Sequence, residues 1–270
     1  MRIARTPEGP VVGDGEGFVP LSSAAPTLDT VADAVRAAPD GLRGPAAATA
    51  TPVPGDALTF ASPVPERRKL WGIGLNYLEH AGDLSEERPE EPASFMKPAT
   101  ALRGPGGPIR LPPEDRSERV TAEGELAVVI GRTCTDVPVE DAPDVIAGYL
   151  PVIDMTAEDV LERNPRFLTR AKSFDSFLVA GPWIRTADTV GALADLTVRT
   201  VIDDEAIAEN RVGNMAFPPA ELVSFHSRVM TLEPGDLIST GTPGAGVIDP
   251  GSRVRAEVED VGSVAADVVR

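Results

Sequence analysis

The sequence has little cysteine, few basic residues and no long apolar run. A single cysteine, Cys134, among 270 residues rules out an internal disulfide, which fits a reducing compartment. Basic residues number 25 against 42 acidic ones, and a net charge of −17 repels phosphate backbones and anionic membrane surfaces. No segment approaches the roughly 18 apolar residues of a membrane span, and the first residues lack a basic stretch followed by an apolar one. We therefore expect no nucleic-acid partner, no membrane association and a cytoplasmic location.

Two residue types that often carry chemistry are scarce, because the chain has one cysteine and two histidines. Cys134 follows the apolar run Leu126–Ile130 with no histidine near it in sequence. We interpret it as a structural or surface thiol, because a nucleophile needs a lowered pKa and a positioned base. His226 lies on the face of an expected helix and is interpreted as structural.

The first sixty or so residues are rich in Ala, Pro and Gly, unlike the rest of the chain. One short helix is expected over Thr27–Ala38, with Thr27 as its cap. The proline-dense stretch Thr51–Glu66 resembles a connection between two units. The prediction is a small N-terminal domain over residues 1–65 and a main domain over residues 66–270.

Beyond Pro65 the apolar segments are short, β-branched and bounded by Gly, Pro and Asp. This spacing favours a β-rich α+β domain with an antiparallel or mixed sheet, and no repeat of solenoid length is present. The expected strands are Leu126–Ile130, Val145–Ile153, Phe177–Ile184, Leu196–Ile202, Asp236–Thr240 and Val254–Val261. The expected helices are Asn76–Ala81, Thr156–Glu162 and Pro219–Ser227.

Three carboxylates accompany two of these strands. Glu123 and Glu125 stand two apart before a strand, so both side chains share one face and repel each other. Asp154 is expected at a strand-to-helix corner, before a capping box over Thr156–Asp159. Three oxygen ligands suit Mg²⁺, Mn²⁺ or Ca²⁺ better than zinc. On the pattern alone, however, a solvated acidic face explains these residues better than a metal site does.

Several segments, in order, resemble the fumarylacetoacetate hydrolase superfamily over roughly residues 68 to 268. The segments are GLNYLEHAGDL (74–84), PASFMKPATAL (92–102), EGELAVVIG (123–131), GYLPVIDMTAED (148–159), AKSFDSF (171–177), GPWI (181–184) and LEPGDLISTGTPGAGV (232–247). This resemblance implies a mixed β-roll or barrel-like catalytic domain, a small N-terminal α/β domain and a homodimer.

The resemblance also implies a role for individual residues. The metal, Mg²⁺ or Mn²⁺ with Ca²⁺ as a substitute in crystals, would be held by Glu123, Glu125 and Asp154. The catalytic residues would be His80, Asp83 and Lys172, with His80 and Asp83 three apart so that the carboxylate orients the imidazole as a base. The substrate-binding residues would be Tyr77, Lys97, Glu158, Gly241 and Thr242. The glycine-rich turn around Thr242 lacks the Gly-Lys-Ser/Thr ending of a nucleotide-binding loop.

The implied activity is metal-dependent cleavage of a carbon–carbon bond next to a carbonyl in a β-diketo acid or related oxo acid. Decarboxylation and keto–enol isomerisation would use the same enolate and remain alternatives, as does a non-catalytic metal or ligand binder. The sequence departs from the family at Glu158 and Leu161, where arginine and glutamine are usual. Three explanations are open. The first, which we favour, is a different substrate that is less anionic or carries an amine that Glu158 could pair with; the others are an added ligand or base at Glu158, and activity that is reduced or lost.

Overall fold

The computed structural model describes residues 1–15, 17–65, 68–77 and 90–270. Within these ranges the strands are β1 (Arg2–Thr6), β2 (Gly9–Gly13), β3 (Phe18–Pro20), β4 (Leu70–Gly74), β5 (Ala93–Lys97), β6 (Leu102–Arg103), β7 (Ile109–Arg110), β8 (Val120–Ile130), β9 (Ile146–Ala157), β10 (Leu178–Ala180), β11 (Trp183–Thr186), β12 (Thr197–Ile202), β13 (Glu205–Arg211), β14 (Leu237–Ser239), β15 (Ala245–Val247), β16 (Arg253–Val258) and β17 (Gly262–Val269). The α-helices are α1 (Leu21–Ala24), α2 (Val31–Ala37), α3 (Glu158–Arg163), α4 (Leu168–Lys172) and α5 (Pro219–Val229), and short 3₁₀ turns connect many of these elements. None of the helices in the described part of the chain is long and apolar enough to cross a membrane.

The strands form two sheets. The larger has the order β3-β2-β1-β11-β9-β8-β14-β4-β5, with β10 and β15 also pairing onto β9 and β8 and β6 pairing with β10. The smaller has the order β13-β12-β16-β17-β7. Most pairs are antiparallel, and β4 with β14, β6 with β10 and β7 with β17 are parallel. The expected β-rich α+β class is confirmed.

The long antiparallel pair of β8 and β9 lies at the centre of the molecule. One face of β8 carries Leu126 and Val128, which pack in the same apolar core as Leu222 of α5. The opposite face carries Ala127 and Val129, which pack in a second core with residues of the first forty. Because both faces of this strand are covered, its apolar run is nearly continuous. The acidic residues continue the second face beyond the end of that core.

The first sixty residues join the larger sheet directly. Strand β1 pairs antiparallel with β11, and α2 packs in the core that includes β8 and β9. The expected cap at Thr27 is wrong, because Thr30 caps α2. Thr30 at the N-cap and Asp33 at position N3 form a reciprocal capping box. A helix capped by Thr27 would have Thr30 at N3, where a capping box has an acidic or amide side chain. The boundary near Pro65 remains a prediction.

Several elements were predicted too short or in the wrong place, because polar residues in the sequence resemble the ends of strands. Strand β8 begins at Val120 and β9 continues to Ala157, so Asp154 lies inside a strand and not at a corner. Helix α3 starts at Glu158, and the capping box expected at Thr156 is absent, because that threonine lies in β9.

The expected strand Phe177–Ile184 is divided into β10 and β11. Gly181 between them has φ +141°, and Pro182 has no N–H for the ladder. A proline beside a glycine in this conformation interrupts the pairing with β9.

Candidate active site

Strand register brings the acidic residues together. Glu123 lies directly opposite Asp154 in the β8–β9 ladder, and Glu125 lies two residues further along β8, opposite Val152. All three carboxylates therefore project from one face of the sheet. Asp154 and Glu125 are buried and Glu123 is nearly so, which rules out the solvated acidic face that the pattern alone favoured.

Gly124, between the two glutamates, packs against the smaller sheet. A Cβ on this residue would lie 2.5 Å from the carbonyl oxygen of Arg199 in β12. The Gly124 N–H also donates to Thr200 Oγ1 at 2.8 Å. Contact with β12 therefore fixes the backbone that carries both glutamates.

Lys172 bridges two of the carboxylates. Its Nζ lies 2.8 Å from Glu123 Oε2 and 3.2 Å from Asp154 Oδ1. Burial lowers the pKa of Lys172, but the charges of Asp154 and Glu123 outweigh this effect and raise it above its ordinary value. Thr156 donates to Glu123 Oε1 at 2.5 Å. Despite burial, the pKa of Glu123 is lowered by Lys172 and Thr156.

Lys97 is a second buried cation beside Asp154, and its Nζ lies 2.8 Å from Asp154 Oδ1. It also donates to the carbonyl oxygens of Lys172, Phe177 and Met155 at 2.6, 2.8 and 3.2 Å. Burial lowers the pKa of Lys97 to about 8, although Asp154 acts in the opposite direction. With four oxygen neighbours, Lys97 ties β5 to β9 and is less available to a substrate than Lys172.

Glu125 accepts hydrogen bonds from Ser239 Oγ and, at 2.9 Å, from the N–H of Gly241. Burial, and then the charges of Asp154 and Glu123, raise the pKa of Glu125 to about 8. Protonated Glu125 leaves two carboxylates facing two ammonium groups. The site is therefore close to neutral in the absence of another cation.

The glycine-rich turn after β14 packs against β8 and against Asn76. Gly241 has φ +93°, and a Cβ there would lie 2.8 Å from that of Asn76, so both conformation and space require glycine. Asn76 donates to the carbonyl oxygens of Thr240 and Phe217 at 2.7 and 3.0 Å. Thr242 Oγ1 lies 3.1 Å from the carbonyl oxygen of Gly124. The turn thus closes over the strand that carries the glutamates.

A cleft of about 160 Å³ opens beside these residues. Its lining includes Glu123, Thr156, Glu158, Leu161, Lys172 and Thr242. Glu158 Oε2 lies 3.0 Å from Nε of Arg119, which also pairs with Glu162. The negative charge that replaces the family's usual arginine is therefore only partly balanced, because Glu158 and Glu162 share one arginine from the segment before β8.

The donor set of the site fits a hard divalent cation. Oδ2 of Asp154 is buried and has no hydrogen-bond partner among the described residues. Three carboxylates on one face supply the oxygen ligands that Mg²⁺ and Mn²⁺ prefer. As they stand, no three His, Cys, Asp or Glu side chains within the described ranges converge tightly enough to ligate one ion. The nearest cations are instead the ammonium groups of Lys172, 2.8 Å from Glu123, and of Lys97, 2.8 Å from Asp154, so a metal would have to share the charge of these carboxylates with both.

The remaining predicted residues have different positions. His80 and Asp83 lie outside the described residues. Tyr77 is fully buried, and its hydroxyl has no hydrogen-bond partner in the described part of the chain. Burial and, to a smaller extent, the charge of Glu125 raise the pKa of Tyr77.

His226 is buried in α5, with ring nitrogens 2.6 Å from the carbonyl oxygen of Leu222 and 2.8 Å from Ser94 Oγ, as a structural histidine would be. Cys134 is a partly buried free thiol, and its backbone pairs with that of Leu232 in an isolated antiparallel β-bridge.

Thr156 and Ser239 contact the acidic residues but were not singled out from the sequence. Thr156 could have been found, because it is two residues from Asp154 and so shares its face of β9. Ser239 had no such signal, because its contact with Glu125 depends on the pairing of β14 with β8.

The chain matches the family model described as "Fumarylacetoacetate (FAA) hydrolase C-terminal" over residues 69–269, and it belongs to that family. Mitochondrial oxaloacetate tautomerase FAHD2A of Bos taurus is 34% identical over 270 residues, covering 95% of this chain and 85% of that protein. The crystal structure of 5-carboxymethyl-2-hydroxymuconate delta-isomerase from Mycobacterium smegmatis has a TM-score of 0.79 at 34% identity, covering 100% of this chain and 99% of the other.

A third similar protein carries a metal ion. It is maleylpyruvate hydrolase from Sphingobium sp. SYK-6 in complex with manganese(II) and pyruvate, with a TM-score of 0.79 at 31% identity, covering 100% of this chain and 99% of that one. The relatives thus include a tautomerase, an isomerase and a hydrolase, and the chain belongs to a family of enzymes that act on small molecules.

Proposed function

We propose that the protein is a divalent-metal-dependent enzyme that cleaves a carbon–carbon bond next to a carbonyl group in a small β-diketo or related oxo acid. The observation that carries this proposal is the buried cluster of Glu123, Glu125 and Asp154 on one sheet face, with Lys172 beside it at the cleft. The manganese and pyruvate held by the similar maleylpyruvate hydrolase support the same chemistry.

Glu123, Glu125 and Asp154 would hold the ion, with Mg²⁺ or Mn²⁺ as the expected metal. When bound, such an ion supplies Lewis-acid polarisation of carbonyl oxygens. Lys172 lines the cleft as a buried ammonium whose pKa is raised by Asp154 and Glu123, so it is placed to stabilise an enolate oxygen as negative charge develops. Gly241 and Thr242 belong to the turn beside the cleft, and Thr242 would contact the carboxylate of the substrate there.

In the proposed reaction, His80 accepts a proton from a water molecule, and Asp83 orients its imidazole. The water oxygen forms a bond to the remote carbonyl carbon, and the bond between that carbon and its neighbour breaks. The electron pair moves into an enolate, which Lys172 stabilises until a proton returns to its carbon. The products are a carboxylic acid and an oxo acid, so all atoms of substrate and water are retained.

Glu158, in place of the family's usual arginine, supports a substrate that differs from the standard ones of the family. Its carboxylate lines the cleft and shares Arg119 with Glu162, so that side of the cleft presents no free cation. A second carboxylate on the substrate would gain little there. We propose a substrate with one anionic end, bound near Thr242, and a neutral or amine-bearing tail near Glu158.

A second candidate function is isomerisation or tautomerisation of an oxo acid through the same enolate. Its support is the similarity to an oxaloacetate tautomerase and to a delta-isomerase over nearly the whole chain. This reaction needs proton transfer only, without attack by water. Decarboxylation would also pass through this enolate.

The deciding experiment uses protein treated with EDTA and then supplied with Mn²⁺, Mg²⁺ or neither. Acetylpyruvate, maleylpyruvate and oxaloacetate would be followed by NMR, which separates cleavage products from enol–keto exchange and double-bond migration. Cleavage that appears only with metal supports the main proposal, and exchange without cleavage supports the second candidate. Full activity without metal would contradict both. Ligand-induced stabilisation without any product would instead identify a non-catalytic binder.

A further inference from the structure

A second cavity lies at the opposite end of β4 from the acidic site. It has a volume of about 360 Å³, and its walls include Arg5, Arg68, Leu70, Thr100 and Arg103. Strand β4 runs from Leu70, in this cavity, to Gly74, in the catalytic cleft, a span of about 13 Å at about 3.3 Å per residue. The two linings share no residue.

The charge of this cavity opposes that of the protein. Three arginines line it, and its described lining contains no Asp or Glu, although the whole chain has a net charge of −17. In the described part of the chain, neither Arg5 nor Arg68 has a carboxylate oxygen within 4.0 Å of its guanidinium, whereas the neighbouring Lys69 pairs with Glu233 and Asp236. Glu233 interacts electrostatically with Arg68 from outside the cavity, but three guanidinium groups around one cavity without a carboxylate in its described lining attract an anion.

Arg68 gives the most specific signal. Its Nε is buried and has no hydrogen-bond partner among the described residues. Gly235, with φ +91°, packs beside it, and a Cβ there would lie 3.2 Å from this nitrogen. A buried N–H without an acceptor is unfavourable, so this nitrogen favours an oxygen ligand in the cavity.

Arg103 is held in place by the cavity wall. Its Nη1 donates to the carbonyl oxygens of Leu102 and Thr100 at 2.8 and 3.1 Å. Apolar walls from Val64, Pro65 and Leu102 surround these cations and strengthen their interaction with an ion. The planar guanidinium fork matches the oxygens of a carboxylate or phosphate group.

We propose that this cavity is a second binding site, which takes a small anion carrying a carboxylate or phosphate group. An adjoining cavity of about 400 Å³ shares Arg5, Val64, Pro65 and Arg68 but also contains Asp29. The anionic group therefore sits in the lobe with three arginines, and the remainder of the ligand extends toward the second lobe.

The test measures binding of inorganic phosphate and of malonate to the full chain by calorimetry at constant ionic strength. Bound metal is first removed with EDTA, and the EDTA, which is itself a polycarboxylate, is then removed by dialysis, so that neither a metal at the acidic site nor the chelator competes for the anions. Arg68→Gln should weaken binding by about tenfold or more, because a charged hydrogen-bonding partner is lost. Arg5→Gln, at an exposed position, should weaken anion binding by a smaller factor. This variant replaces Arg68→Gln as the test of the site if the Arg68 variant does not fold.

Arg253→Gln is the matched control, because it removes the same charge from an exposed arginine paired with Asp267 in the other sheet. Its affinity should stay within about twofold of that of the unmodified chain, since exposed pairs contribute little. Tighter binding of phosphate or of malonate identifies the preferred anion, and either result supports the site. Absence of binding by both anions, or equal weakening in Arg5→Gln and Arg253→Gln, would overturn the proposal.

Discussion

The carboxyl group of Glu125 is buried beside Asp154 and Glu123, and this arrangement raises its pKa from 4.5 to about 8. The unfolded chain releases this proton near pH 4.5. Between pH 4.5 and about 8 the folded metal-free protein therefore binds more protons than the unfolded chain does. The free energy of unfolding should therefore fall as pH rises from about 4.5 to about 8. Glu125→Gln cannot titrate and should remove this part of the slope.

Urea denaturation in EDTA at several pH values within this window measures the effect. Glu205→Gln, at an exposed position in β13, is the control and should keep the slope of the unmodified protein. An unchanged slope in Glu125→Gln would show that another group titrates in this range.

Lys172 gives a second prediction at the residue scale. Its Nζ contacts both Glu123 and Asp154, so Lys172→Gln removes a positive charge from the place where a divalent ion would bind. Mn²⁺ should bind at least as tightly as before, because charge repulsion is reduced. Turnover should fall by about 10²–10³, because stabilisation of the enolate is lost.

Lys69→Gln is the matched control, since Lys69 also bridges two carboxylates but lies at Glu233 and Asp236. It should leave the ratio of turnover to Mn²⁺ affinity unchanged. A Lys172 variant that loses metal and turnover in parallel would instead assign this lysine a purely structural role.

At the scale of elements, the contact between β8 and β12 positions the glutamates. Gly124→Ala would place a Cβ 2.5 Å from the carbonyl oxygen of Arg199. The strands would have to separate, which should cost about 1–3 kcal/mol or more of the free energy of unfolding and weaken metal binding. Gly191→Ala meets no atom within 4 Å and is the control. Denaturation and Mn²⁺ titration of both variants measure the two effects, and equal stability would refute this role of Gly124.

The limits of sequence-based prediction are clearest for β8 and β9. The predicted strands Leu126–Ile130 and Val145–Ile153 match their apolar centres, apart from Val145, which lies in a 3₁₀ turn, because a strand covered on both faces is continuously apolar. Their polar ends were predicted only in part: the two glutamates were placed on a strand face, but Thr121, Asp154 and Thr156 resemble a boundary in the sequence. Backbone pairing does not depend on side-chain polarity, so the ladder continues through them.

The same elements explain what could be predicted of the candidate site. The two-residue period of a strand placed Glu123 and Glu125 on one face without any structure. The contact of Asp154 with them depends on register, which no local pattern specifies. Lys97 reaches Asp154 from β5, and Ser239 reaches Glu125 from β14. Contacts of this kind are tertiary and leave no periodic signal.

At the scale of the whole molecule, the first sixty residues do not form a separate layer. Strand β1 extends the larger sheet through β11, and the core of α2 includes residues of β8 and β9. A composition shift near Pro65 indicated a boundary but carried no information about this pairing. The matched family region, residues 69–269, starts close to the same point. Homodimerisation and a cytoplasmic location remain predictions.

Metal binding by the acidic cluster is the central claim about the whole molecule, and Mn²⁺ titration monitored by electron paramagnetic resonance tests it most directly. The unmodified chain should bind one Mn²⁺ per molecule. Asp154→Asn should weaken that binding by about tenfold or more, because it removes a charged oxygen ligand. Asp267→Asn, which alters an exposed carboxylate paired with Arg253, is the control and should bind as the unmodified chain does. Equal Mn²⁺ affinity in the Asp154 and Asp267 variants would contradict the account.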